Sequence, residues 1–392
     1  MLRPPTLAAL GLCLAVAVPV AAADECLAPS LDDPASSLSR TDHAVTGNRV
    51  AGGCGPLEGD ELEVALGGTP IWVLPDPSDR GSSWFVVLED GTVDHVVDDG
   101  RGGAFVSQSE RPPLPAGDPP LALQTGEDEV VVGSALGARG WFSDALPDAR
   151  VTEIPGAALV APVGPTERYE HGVLGDAFEA AAIEVRDQAG PLARVAVELD
   201  EVVESTSAMV VELASNELGP ELLVTVSDAA HGARLRAYGL DGSIIAESDA
   251  IGQGYRWLHQ IGAGSLAPDG ALEVIAVRTP HIGGVVEAYR LVDGRFELAA
   301  SAAGYSSHQL GSANLDMALL ADADGDGRLD VVVPTEALDE IALLARTSDG
   351  FDELGRLALG DRLRTNVAAT PTADGRLVIA AGTEAGTLRV FR

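Results

Sequence analysis

The chain has 392 residues, of which 60 are acidic and 25 are arginine or lysine, giving a formal net charge of −35 at pH 7. All of those basic residues are arginine; the sequence contains no lysine. A chain this acidic is repelled by phosphate backbones and anionic membrane surfaces, so nucleic acid and lipid headgroups are excluded as partners, and solubility is the plain reading of the charge.

The first residues read as an address. Arg3 precedes an apolar run over residues 7–20, and Ala21-Ala22-Ala23 stands before Asp24 in the small-residue form of a cleavage site. Residues 1–23 are therefore expected to be a bacterial secretory signal peptide, too short for a membrane anchor. Cys13 does not suit lipidation, because Leu12 stands where a small residue is needed. No later stretch reaches the length of a spanning helix, so the expectation is a periplasmic or secreted chain without membrane insertion. Cleavage leaves Cys26 and Cys54. Outside the cytoplasm an even cysteine count reads as one disulfide, here stapling an N-terminal arm (24–60) to a body over 61–392.

From residue 24 to 204 the texture is strand-rich and broken by glycine and proline, as in WFVVLEDGTVDHVV at 84–97. Residues 107–120, rich in proline, serine and glycine, read as a loop. Residues 176–187 have the propensity for a short helix, and the assignment there stays open. HGVLG at 171–175 partly echoes segments found later.

Repetition becomes clear from residue 205. LLVTV (222–226), LEVIAV (272–277), LDVVVP (329–334) and LVIAAG (377–382) are aliphatic runs bounded by Gly, Pro and Asp, which is strand grammar. They align on Glu221, Glu273, Asp330 and Val378, at spacings of 52, 57 and 48 residues. Asp-Gly pairs at 241–242, 293–294 and 349–350 follow the first three anchors by 20, 20 and 19 residues, and Asp-Gly favours hairpin turns. Further strands flank each turn: ARLRAYG then SIIAES, VVEAYRL then RFELAAS, EIALLART then FDELGRLAL. HQIG (259–262) and HQLG (308–311) share a core upstream of two anchors. About four strands in roughly 50 residues is a propeller blade. The expected fold is all-β: a single β-propeller of about seven four-stranded blades, occupying 61–392. In the last repeat the next turn would fall beyond Arg392, so an N-terminal strand from 43–52 or 61–66 is expected to close the ring and cover the open edge.

Residues 322–330 read Asp-Ala-Asp-Gly-Asp-Gly-Arg-Leu-Asp. Asp322, Asp324 and Asp326 occupy loop positions 1, 3 and 5, Gly327 the sharp turn, Arg328 offers a backbone carbonyl and Asp330 a further carboxylate. Hard oxygens at this spacing suit Ca²⁺. An EF-hand would need Glu at position 12, where Val333 stands inside a strand. A DxDxDG-x-x-D loop feeding a short aliphatic strand, repeated at blade length, resembles the FG-GAP/VCBS repeats of integrin-type propellers and many exported bacterial proteins. The resemblance covers 205–392. It implies calcium as a structural cofactor and a recognition role. Only this copy keeps the full motif; Ser215, Asn216 and Glu217, then Asp269, then Asp374 mark degenerate ones, so one calcium site is expected.

No nucleophile elbow, zinc motif or phosphate-cradling loop appears, and acids are too abundant to nominate a catalytic pair. The expectation is a monomeric binding or assembly scaffold for a protein or an anionic or carbohydrate ligand. The alternative is a propeller enzyme that processes a polysaccharide or a small anionic substrate. If HQIG and HQLG open innermost strands, His259, His308, Asn366 and His171 are equivalents around the axis. Arg168, Arg256, Tyr255, Trp257, Tyr305, Arg278 and His281 then gather on the same face, opposite the calcium. An arginine-rich mouth in an anionic body would focus an anion. Against it stands pairing of these arginines with local acids such as Glu167 and Glu170. A histidine-lined metal site is a further possibility.

Overall fold

The computed structural model describes residues 46–392 apart from 58–60, 80, 100, 109–119, 125–129, 135–140, 155, 174, 214–218 and 313. The signal peptide (1–23), Cys26 and most of the 107–120 loop lie outside the described residues, so the Cys26–Cys54 bridge remains an expectation.

Among the described residues the chain is a succession of strands. β1 (Val50–Cys54) and β2 (Glu61–Ala65) come first, followed by the meander β3 (Pro70–Pro75), β4 (Ser83–Leu88), β5 (Val93–Asp98) and β6 (Ala104–Gln108). The hairpin β7 (Pro120–Gln124) and β8 (Val130–Ser134) is next. The middle of the chain is less regular: β9 (Thr152–Ile154), β10 (Ala158–Thr166), β11 (Glu179–Asp187), β12 (Gly190–Ala196), β13 (Glu201–Val203) and β14 (Met209–Val211). Then come β15 (Glu221–Asp228), β16 (Gly232–Tyr238) and β17 (Ile244–Ser248). The meander β18 (Leu258–Ser265), β19 (Leu272–Arg278), β20 (Val285–Val292) and β21 (Arg295–Ala303) follows. The last elements are β22 (Leu319–Asp322), β23 (Asp330–Pro334), β24 (Glu340–Arg346) and β25 (Phe351–Ala358), then β26 (Leu363–Pro371), β27 (Leu377–Thr383) and β28 (Thr387–Phe391). Residues 176–187, whose propensity suits a short helix, supply β11. Its run of buried Ala and Val between β10 and β12 decides the matter.

The apolar clusters show how the sheets stack. One joins Ile261, Val277 and Val286 of the β18–β21 sheet to Leu320, Val331 and Ala342 of the β22–β25 sheet. Another joins Leu319, Val332 and Ile341 to Val367, Ile379 and Phe391. A third joins Val378, Ala380 and Val390 to Val73, Trp84 and Val86. Each core thus lies between two successive sheets, and successive inner strands are neighbours: β15 beside β18, β18 beside β22, β26 beside β3. Up-and-down sheets packed face to face in this order form a β-propeller.

The strands near the N-terminus are not an appended arm. β2 pairs antiparallel with β28, from Glu61↔Phe391 to Ala65↔Thr387, and supplies the outer strand that the last sheet lacks. β1 pairs parallel with β22 on the inner side of the preceding sheet. Both segments carry alternating burial, which matches strands with one face in a core.

Candidate functional site

The acidic turn joins β22 to β23. Gly325 (φ +82°) and Gly327 (φ +84°) adopt left-handed backbone, which only glycine accepts without strain. The turn is braced by its own carboxylates: Asp322 accepts from Gly325 N at 2.6 Å and from Gly327 N at 3.0 Å, and Asp330 accepts from Ala323 N at 2.9 Å. Oxygens of Asp322, Asp324 and Asp330 lie within 4.8 Å of one another. Burial, together with Asp324, Asp326 and Asp322, pushes Asp330 up to about 7, and burial likewise raises Asp322. Three hard oxygens crowded in this way fit a divalent cation of the calcium kind. Asp326 sits differently: its carboxylate takes Arg328 Nε at 2.9 Å and the Arg328 backbone N–H at 2.8 Å. The degenerate turns also commit their acids to arginine, Asp269 to Arg290 at 2.9 Å and Asp374 to Arg376 at 3.2 Å. Ser215, Asn216 and Glu217 lie outside the described residues. Gly55 clamps the turn from the N-terminal side: its N–H donates to Asp322 O at 2.8 Å, and a Cβ there would stand 2.0 Å from the Ala323 carbonyl.

The second cluster gathers on loops at one end of the sheets. Trp257 stacks on His259 (4.6 Å between centroids, 13°) and meets His308 edge-on at 5.2 Å. His281 Nε2 lies 2.7 Å from His308 Nδ1, and His308 Nε2 lies 2.6 Å from the Ser312 carbonyl. A carbonyl only accepts, so His308 carries its proton on Nε2, and His281 Nε2–H donates to His308 Nδ1. His259 Nδ1 contacts Ser307 Oγ at 2.8 Å. Burial pushes His281 down to about 4 and His308 to about 3, and takes His259 well below the imidazole range. These are neutral, hydrogen-bonded rings at pH 7. His259 lies on β18, whereas His308 lies on the loop ahead of β22. HQLG is thus no strand like HQIG: β22 begins only at Leu319, and β1 lies along that strand instead.

Next to this group Tyr169 stacks on Tyr255 (5.1 Å, 10°), and His171 stands edge-on to both. His171 Nδ1 contacts Glu204 Oε1 at 2.5 Å, and the Ser227 hydroxyl donates to Glu204 Oε2. Trp257 Nε1 donates to the Glu204 carbonyl at 3.0 Å. Glu204 is fully buried, and that burial raises its pKa.

The other expected face residues are spread out. Arg168 Nε donates to the Glu201 carbonyl at 2.7 Å and Nη2 to the Glu198 carbonyl at 3.3 Å; neither Glu167 nor Glu170 is its partner. Arg278 pairs with Glu287 at 2.7 Å. Arg256 donates to the Tyr255 carbonyl at 2.8 Å. Tyr305 packs in the core between two sheets, its hydroxyl donating to Glu353 at 2.9 Å. Asn366 is an inter-sheet strut: its side chain accepts from Val73 N and donates to Val73 O, both at 2.8 Å. So Tyr305 and Asn366 do not join the histidines, while Tyr255, Trp257, His171, His259, His281 and His308 do.

Sequence reading missed Tyr169, Glu179, Glu204 and Ser227, and also the buried Asp316. Arg49 and Arg150 both pair with Asp316, Arg150 Nη1 reaching both its oxygens at 2.8 Å. The only hint for the first group was the Tyr169-Glu170-His171 string; the acids were lost among sixty.

No family model and no curated protein matches the sequence. Among solved structures, the chain is similar to the crystal structure of the WD40 β-propeller domain of Doa1, at 10% identity and a TM-score of 0.42, over 85% of this chain and 95% of that one.

Proposed function

We propose that the chain is an exported β-propeller of the FG-GAP/VCBS kind, a ring of about seven blades, stabilised by calcium and working as a binding or assembly scaffold. Asp322, Asp324 and Asp330 would hold the ion, which adds structural cohesion and no chemistry. The observation that carries the scaffold reading is the loop face. Phe178, Leu199, Tyr255, Ile282 and Leu310 are exposed on loops around Glu204, His171 and Trp257, of which Glu204 and Trp257 are buried. Neighbouring loops are tied together there, as where Gly311 N donates to the Val173 carbonyl at 3.2 Å. An apolar rim over an ordered polar floor is the composition of a recognition surface. The arginines expected to grip an anion are engaged with backbone carbonyls or with Glu287, which favours contact through aromatic and aliphatic groups. The test is a pull-down from periplasmic and culture fractions with wild type against Ile282→Asp/Leu310→Asp. A partner recovered by wild type and lost by the double variant supports the reading; identical recovery removes it.

A further inference from the structure

Glu179 and Glu204 face each other across a strand pair. Ala180 pairs with Val203 between antiparallel β11 and β13, so the next position sets Glu179 opposite Glu204, and side chains directly opposite share one face of a sheet. Like charges in that position repel. Elsewhere this protein pairs its buried acids with arginine, as at Glu201, Glu273 and Asp316. Here it does not. Glu204 has His171 and Ser227, but the side-chain carboxyl of Glu179, a residue 4% exposed, has no hydrogen-bond or ion-pair partner among the described residues. Tyr169 is 2% exposed, and its hydroxyl, near the Tyr255 backbone and Ser227 and within the field of Glu204 and Glu179, makes no hydrogen bond of good geometry. Beside the bonded Glu204, the Glu179 carboxyl and the buried Tyr169 hydroxyl thus keep acceptor capacity unused, and for the buried hydroxyl that costs stability unless something donates to it.

The solvent side of this cluster is aromatic. Tyr255, 42% exposed, lies parallel on Tyr169 and is held by a left-handed backbone (φ +55°) that a tyrosine adopts only under constraint. Phe178 is part-exposed beside Glu179. An aromatic wall above paired carboxyls is complementary to an alkylammonium: the charge meets the ring face and a carboxyl that gives up its proton against it, and the methylenes pack on the ring.

We propose that Glu179, Glu204 and the Tyr169 hydroxyl, walled by Tyr255, form a binding site for one primary ammonium group, carried by a lysine side chain of a partner protein or by a free polyamine. The three acceptors match the three N–H donors of an ammonium. The chain has no lysine of its own to fill the site. This names the ligand chemistry of the recognition face and rests on that reading. It also reverses the charge expected there, since the arginines are spent and the open groups are acids.

The experiment is calorimetric titration of the mature chain, at fixed ionic strength, with putrescine, with Ac-Gly-Lys-Gly-NH₂ and with its norleucine counterpart. Saturable binding of either amine with none of the norleucine peptide supports the site. Putrescine alone binding assigns a free polyamine, and the lysine peptide binding assigns a protein partner. Glu179→Gln is expected to weaken binding about tenfold or more, Tyr255→Ala about threefold to tenfold, and Asp352→Asn, on an exposed strand, not at all. No heat with either amine, or unchanged affinity in both Glu179→Gln and Tyr255→Ala, overturns the proposal; using both variants guards against one failing to fold. Partner recovery that still depends on Ile282 and Leu310 after such a failure would remove the ammonium site and leave the scaffold reading standing.

Discussion

The sheets after residue 212 and those before it are built with different regularity. In the later part, β18–β21 and β22–β25 run as consecutive antiparallel strands, each joined to the next by a short turn. In the earlier part β3–β6 is also a meander, but β9, β13 and β14 have three residues each, and β13 bridges β11 to β15 instead of ending a meander. Both parts bring acids together, but by opposite routes. Asp322, Asp324 and Asp330 meet because one turn carries them. Glu179 and Glu204 meet because two strands pair in a particular register, and Tyr255 reaches them from a loop ahead of β18. Regular repeats place a site within one turn; irregular sheets create one between segments.

The largest test asks whether the two parts hold each other up. Deleting 24–66 removes β1, β2 and Arg49, exposing the β28 edge and stripping one partner from Asp316. The expected loss is on the order of 5 kcal/mol or more, enough to abolish cooperative folding. A deletion variant that stays monomeric on size exclusion and melts like wild type would show that the strands near the N-terminus are dispensable.

Calcium comes next. At free Ca²⁺ one hundred times Kd, binding to the native state alone adds about 2.7 kcal/mol, read as a rise in Tm against chelator. Asp330→Asn should lose that rise, and Asp324→Ala most of it. Asp326→Ala should keep the larger share, because its carboxylate is turned to Arg328. Equal loss in all three would mean that Asp326 swings into the cluster.

The carboxyl pair should show itself in pH dependence. Glu179 is pushed well above the usual carboxyl range, by burial first and then by Glu204, Asp148 and Asp176. His171 and Tyr169 face the same cluster. A carboxyl raised in the folded state keeps a proton that the unfolded chain has released, so its effect is absent below the ordinary value of 4.5, and stability falls as pH climbs above it. Denaturant unfolding at pH 5 and pH 9 should therefore show a decline in wild type. Glu179→Gln should flatten the decline and be more stable at pH 8 by about 1 kcal/mol. An unaltered pH slope would mean that Glu179 is already ionised and paired. The smallest effect is expected at Tyr305→Phe, which gives up the Glu353 hydrogen bond for about 0.5–1 kcal/mol and should leave amine binding unchanged.

The strands of the later half were legible because aliphatic runs, Asp-Gly turns and their spacing are local signals. The acidic turn was legible for the same reason, and so was the open edge of the last repeat, along which Glu61–Ala65 pairs. HQLG misled because its likeness to HQIG is local, while its conformation follows from β1 taking the place beside β22. Asn366 and Tyr305 fell at plausible repeat positions, yet one spans to Val73 and the other reaches Glu353.

By itself, then, the sequence determined the all-β character, the four-strand rhythm and the carboxylate turn, since burial alternation and turn chemistry act between residues close in the chain. Only the tertiary structure decided that Glu179 meets Glu204, that Tyr255 covers Tyr169, and that the arginines of the expected mouth are already engaged. Those contacts depend on register and sheet order, in which a shift of one residue turns every side chain to the other face.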